Sequence, residues 1–116
     1  MITSKDMDAV FHALAHDTRR AILDLVRDTP GQAVGELARS FDVSRIAIMN
    51  HLAVLEGAGL IISEKDGRSR RLYLNAAPIR MIHDRWINDY TGHWAGKLTG
   101  LKYAAEAAAN AKRDAE

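Results

Sequence analysis

The chain has 116 residues, with 16 Lys+Arg, 15 Asp+Glu, five His and a formal net charge of +1. That length suits a single domain over residues 1–116, and apolar and charged fractions of 47% and 27% exclude general disorder. The absence of cysteine excludes a disulfide scaffold, a thiol nucleophile and any Cys-ligated metal site. No apolar run approaches the roughly 20 residues that cross a bilayer. The opening Met1–Asp8 also lacks the apolar stretch of a signal peptide, so a cytoplasmic protein without a membrane partner is expected.

The first helix is predicted over Lys5–His16, with Val10, Phe11, Leu14 and Ala15 on one face. The second starts near Asp17-Thr18, carries Ile22, Leu23, Leu25 and Val26, and stops at Thr29-Pro30-Gly31. A short third helix spans Val34–Phe41. The fourth runs from Arg45 to Glu56, capped by Ser44 and closed by Gly57-Ala58-Gly59. The period then falls to two. Leu60–Lys65 and Arg68–Leu74 read as strands around an Asp66-Gly67 turn. After Pro78 a last helix continues to about Asp114. Its apolar stripe is Ile79, Ile82, Trp86, Tyr90, Trp94, Leu98, Leu101, Ala105 and Ala108. The fold is therefore mainly α with a small β-hairpin, in the order α-α-α-α-β-β-α. It is a winged helix-turn-helix: helix-turn-helix at about 34–57, wing at about 60–74, and a long C-terminal dimerisation helix at about 78–114.

On the fourth helix, Ser44, Ile48, Leu52 and Leu55 fall together and face inward. Ile46, Met49, Asn50 and Ala53 face outward, with Arg45 at their edge. A major groove admits such a helix, N-terminal end first. Arg45 suits guanine or phosphate, and Asn50 suits adenine. Ile46 and Met49 either meet thymine methyl groups or are scattered surface apolar residues. His51 sits beside the buried face and serves either a core-edge hydrogen bond or a phosphate. Arg68, Arg70 and Arg71 stand near Lys65 in the hairpin. They read either as phosphate or minor-groove contacts or as a charged edge that resists aggregation. Alternation places Arg68 and Arg70 on one face and Arg71 with Ser69 on the other.

A three-helix core with a hairpin does not need the last helix and its aromatic stripe. Left in water, that stripe would be a large sticky patch. It either folds back on its own domain or meets a second copy, with Phe11 and Leu14 as co-packers. The residues assigned to the dimer seam are Phe11, Leu14, Ile82, Trp86, Tyr90, Trp94, Leu98 and Leu101. Gly92, Gly96 and Gly100 either permit close helix approach or mark a bend or break.

Several runs now resemble one family. Phe11–Leu23 resembles the opening of ArsR/SmtB-type winged-helix repressors, and Val34–Ala38 is similar to their third helix. Ser44–Ile61 is similar to their recognition helix and its exit, and Gly67–Leu74 to their wing. The likeness spans about Met7–Asn75. The resemblance implies a bacterial homodimer that binds a palindromic double-stranded operator and represses transcription, dimerising through its first and last helices. Metal-sensing relatives carry paired cysteines in the third helix, where this chain has Ala33 and Gly35. Zinc-binding relatives carry Asp-x-His and His-x-x-Glu/His on the last helix. Here Met81 precedes Ile82-His83, and Gly96 follows His93 by three. Asp17 stands where many relatives have Pro.

No cofactor, metal ligand set or enzymatic activity is expected. His12 and His16 have helical metal spacing, but their neighbours offer no further ligand. His83 and His93 differ by about 80° in phase and nearly three turns in height, too far for one ion within a chain. No phosphate-binding glycine loop or nucleophile–base pairing is visible. The alternatives are a ligand- or metal-responsive sensor on this fold and a protein-interaction module using the long helix.

Overall fold

In chain order the elements are α1 (Ser4–Leu14), α2 (Asp17–Asp28), β1 (Gln32–Ala33), α3 (Val34–Arg39), α4 (Arg45–Gly57), β2 (Ile61–Asp66), β3 (Ser69–Leu74) and α5 (Ala77–Asp114). This computed structural model describes residues 2–114, and their side chains except those of 88–96, 98–99 and 111–114. It divides into two compact units, Met1–Ile82 and His83–Glu116.

In the first unit, α1, α2 and α4 surround one apolar core. Val10 and Ala13 come from α1, Ile22, Leu23 and Val26 from α2, and Ile48, Leu52 and Leu55 from α4. Val34 and Leu37 of α3, Leu60, Ile61 of β2 and Leu72 of β3 complete it. The inward side of α1 differs from the expected one. Met7, Val10 and Ala13 are buried, Leu14 is partly buried, and Phe11 and Ala15 are exposed. The buried side follows Met7, Val10 and Ala13, which repeat every three residues. Thr3 Oγ1 accepts from Asp6 N at 3.0 Å and Asp6 Oδ2 accepts from Thr3 N at 3.1 Å. This capping box starts α1 at Ser4, and Ala15 is its C-cap.

Two features of the sheet depart from the pattern reading. A third strand, β1, pairs antiparallel with β3 (Gln32↔Leu72, Ala33↔Arg71), giving the order β1-β3-β2. Two residues are too short to carry any alternation. The wing turn also lies one residue later than expected. Asp66 pairs with Ser69 inside the ladder, and Gly67-Arg68 form the loop. Gly67 takes φ 61°, a conformation that favours glycine at the first central position of a two-residue hairpin. Arg68 therefore stands at the wing tip instead of on the strand face with Arg70.

The path from α4 into the wing is also held by hydrogen bonds. Gly59 has φ 77° as the chain leaves the helix. Asn75 then donates from Nδ2 to Gly59 O at 2.8 Å and from its backbone N to Leu60 O at 2.8 Å. Both ends of the hairpin are thereby fastened at the end of α4, which fixes the wing relative to that helix.

Candidate nucleic-acid interface

Helix α4 is built to keep one side bare. Ser44 Oγ accepts from Ala47 N at 3.1 Å, which satisfies an end donor and sets the helix start. Ile48, Leu52 and Leu55 hold the inner side in the core. The outer side carries Ile46 at 75% exposure and Met49 at 45%, with Arg45, Asn50 and Ala53 also exposed.

Beside this face lies a groove of about 440 Å³, lined by Ala33, Val34, Gly35, Glu36 and Arg39 from the β1–α3 segment, Arg45 and Met49 from α4, and Arg68, Ser69 and Arg70 from the wing. Four guanidinium groups and one carboxylate thus meet across three separate elements. Arg39, Arg45 and Arg68 make no ion pair among the described residues. Arg70 donates from Nη1 to Ser63 Oγ at 2.7 Å, a neutral partner that leaves its charge uncompensated. Such an excess of positive over negative charge attracts a polyanion. Sequence reasoning missed Arg39, because only tertiary packing brings α3 beside the wing.

Arg71 behaves differently from its neighbours. Its Nε donates to Asp66 Oδ2 at 3.0 Å and its Nη1 to Gly31 O at 3.2 Å. The Asp66 contact raises its pKa above the ordinary arginine value. Its fork ties β3 to both neighbouring segments of the sheet, so the placement of Arg71 fits a structural role.

His51 is turned toward α2. Its ring centroid lies 4.6 Å from that of His16, and its Nδ1 lies 3.4 Å from Arg19 Nη1. Arg19 is 8% exposed. It donates from Nε to Ala13 O at 2.7 Å and from Nη2 to His12 O at 2.9 Å. One buried guanidinium therefore closes the carbonyl end of α1 and reaches the recognition helix. Burial, then the neighbouring His16 and Arg19, hold the His51 pKa below its usual value. This is the core-edge placement among the two that the sequence left open. A signal for Arg19 did exist: it precedes Ile22, Leu23 and Val26 by three, four and seven residues, in phase with the core stripe. His16 also helps start α2, where Thr18 N is shared between Asp17 Oδ1 at 2.7 Å and His16 Nδ1 at 3.1 Å.

The residues assigned to a dimer seam divide into three groups. Leu14 and Ile82 rest partly buried against the chain's own core. Phe11 is about half exposed, and Trp86 and Leu101 are 56% and 67% exposed, with Arg85 stacked 5.7 Å from the Trp86 ring. Tyr90, Trp94 and Leu98 lie outside the residues whose side chains are described. The backbone of α5 is helical through Gly92, Gly96 and Gly100. Among the described residues, no three His, Asp or Glu side chains converge as a metal site would require, and no helix is long and apolar enough to cross a membrane.

A bare helix following a tight turn, flanked by an arginine-bearing hairpin, defines a winged helix-turn-helix DNA-binding module. The family comparisons agree. The model of a helix-turn-helix domain matches residues 14–64. The HTH-type transcriptional regulator Rv2034 of Mycobacterium tuberculosis is 41% identical over 98 residues, covering 80% of this chain and 90% of that protein. The transcriptional repressor SdpR of Bacillus subtilis is 34% identical over 74 residues, covering 64% of this chain and 81% of that protein. The crystal structure of an ArsR family transcriptional regulator superposes with a TM-score of 0.68 at 31% identity, covering 81% of this chain and 95% of that one. The chain belongs to the ArsR-type family of winged helix-turn-helix transcriptional regulators. It is a DNA-binding regulator and not an enzyme.

Proposed function

We propose that the protein is a homodimeric repressor, acting in the cytoplasm, that binds a palindromic operator through two copies of α4. The observation that carries this reading is the bare outer side of α4, bordered by Arg39, Arg45, Arg68 and Arg70. Ser44, Arg45, Ile46, Met49 and Asn50 are the groove contacts in this reading, and Arg68 and Arg70 hold the backbone beside them. Arg71 and His51, assigned to DNA from the sequence, act behind that surface by fixing the wing and α4. The whole chain serves as one functional module, in which α5 supplies the seam. The exposed Phe11, Trp86 and Leu101 support a second copy as their cover. Two-fold symmetry then sets the half-sites about one helical turn apart. Repression follows if the bound dimer occludes a promoter, and SdpR, a relative by sequence, carries the name of a repressor.

The test is footprinting of the full-length protein on the DNA upstream of its own gene, with transcription measured from that fragment. Symmetric protection and reduced transcript are expected. Protection without two-fold symmetry, or increased transcript, would overturn the dimeric or the repressive part respectively.

A further inference from the structure

We propose that Ile46 and Met49 determine sequence preference by packing on thymine C5-methyl groups, so that each half-site carries thymines where α4 enters the groove. The inference rests on the DNA-binding reading above and names the base chemistry that the same surface selects. Both side chains stand on the first two turns of α4, the end that approaches base edges most closely. They are exposed by 75% and 45% while every other large aliphatic residue of α4 is turned inward or partly covered.

The surroundings select the occupant. An apolar protein surface would have to cover four guanidinium groups (Arg39, Arg45, Arg68 and Arg70) against the one carboxylate of Glu36, along with the two apolar side chains. A duplex satisfies both chemistries, presenting phosphates at the rims and bases between them. Among the four bases only thymine offers a methyl group in the major groove. The others offer donors and acceptors that Ile46 cannot satisfy and that Met49, with its weak thioether acceptor, satisfies poorly. Residues 46 and 49 are three apart on one helix, about 5–6 Å between Cβ atoms. With about 3.4 Å between base steps, they reach positions one or two steps apart. Asn50 lies on the same exposed side and completes the set with a bidentate adenine contact.

The experiment is a binding-site selection from random duplexes with the full-length protein. Each thymine of the winning site is then replaced in turn by deoxyuridine, which removes the methyl group and keeps every hydrogen-bonding group. Each methyl in contact should be worth about three- to fourfold in affinity, the equivalent of one buried methyl group. Ile46→Ala should become indifferent to deoxyuridine at one position and Met49→Ala at another. Both sites are exposed and alanine favours helix, so the variants retain the fold. Enriched duplexes that tolerate deoxyuridine throughout would overturn this inference and leave the DNA-binding reading standing. Failure to enrich any duplex, with no salt-dependent binding, would overturn both.

Discussion

Arg68 and Arg71 stand three residues apart in the wing, and their substitution should separate DNA affinity from stability. Arg68 occupies the hairpin loop and makes no ion pair among the described residues, so Arg68→Ala removes charge without disturbing the sheet. If it meets one phosphate per protomer, the slope of log affinity against log salt falls by about 0.9 per protomer and about 1.8 per dimer. Between about 50 and about 200 mM salt, the variant then loses about twelvefold less affinity than the parent. Arg71→Ala instead removes the Asp66 ion pair and the hydrogen bond to Gly31 O. Both partners are well exposed, so the loss of stability is small, a modest fall in the urea midpoint, with little change in salt slope. Fluorescence anisotropy at several salt concentrations, with urea unfolding of the same samples, measures both. An unchanged slope for Arg68→Ala, or a reduced slope with unaltered stability for Arg71→Ala, would refute the assignment of roles.

Other consequences are equally specific. Arg19→Met leaves the carbonyls of His12 and Ala13 without their charged donor and should cost about 2–3 kcal/mol, read by urea unfolding; an unchanged midpoint would contradict the buried cap. His51 is held below its usual pKa by burial first and by His16 and Arg19 next, so the unfolded chain takes up more protons in that range. Its contribution is complete above the unfolded histidine pKa of about 6.5 and is lost as pH falls below it toward the folded value. His51→Gln should flatten the pH profile of stability across that window, and an identical profile would remove His51 as its source. Trp86→Ala combined with Leu101→Ala should release monomers in sedimentation, and a tight dimer that survives both would contradict the proposed seam.

The recognition helix was legible because its determinants are local. Ser44 caps it and Ile48, Leu52 and Leu55 repeat at helical spacing, so the outer side of Arg45, Ile46, Met49 and Asn50 follows by subtraction. The wing was legible by its period of two, but its turn was placed one residue early because glycine accepts more than one position in a tight loop. What escaped depends on distant residues. β1 exists only through pairing with Leu72 and Arg71, about 40 residues later in the chain. Arg39 joins the groove only through packing. Arg19 reads as a surface charge until its phase against Ile22 and Val26 is counted. Arg71 shares its residue type with Arg68 and Arg70, and only the positions of Asp66 and Gly31 O set it apart.

The chain has no cysteine, so one introduced thiol can carry a DNA-cleaving iron chelate without competition. Val43 is exposed in the turn just before α4, beside the end that should enter the groove, and Val43→Cys puts the chelate there. On the selected duplex the labelled protein should cut at two clusters related by two-fold symmetry, about ten base pairs apart. Cutting spread evenly along the duplex, or none above background while binding persists, would show that α4 is not the element that meets the DNA.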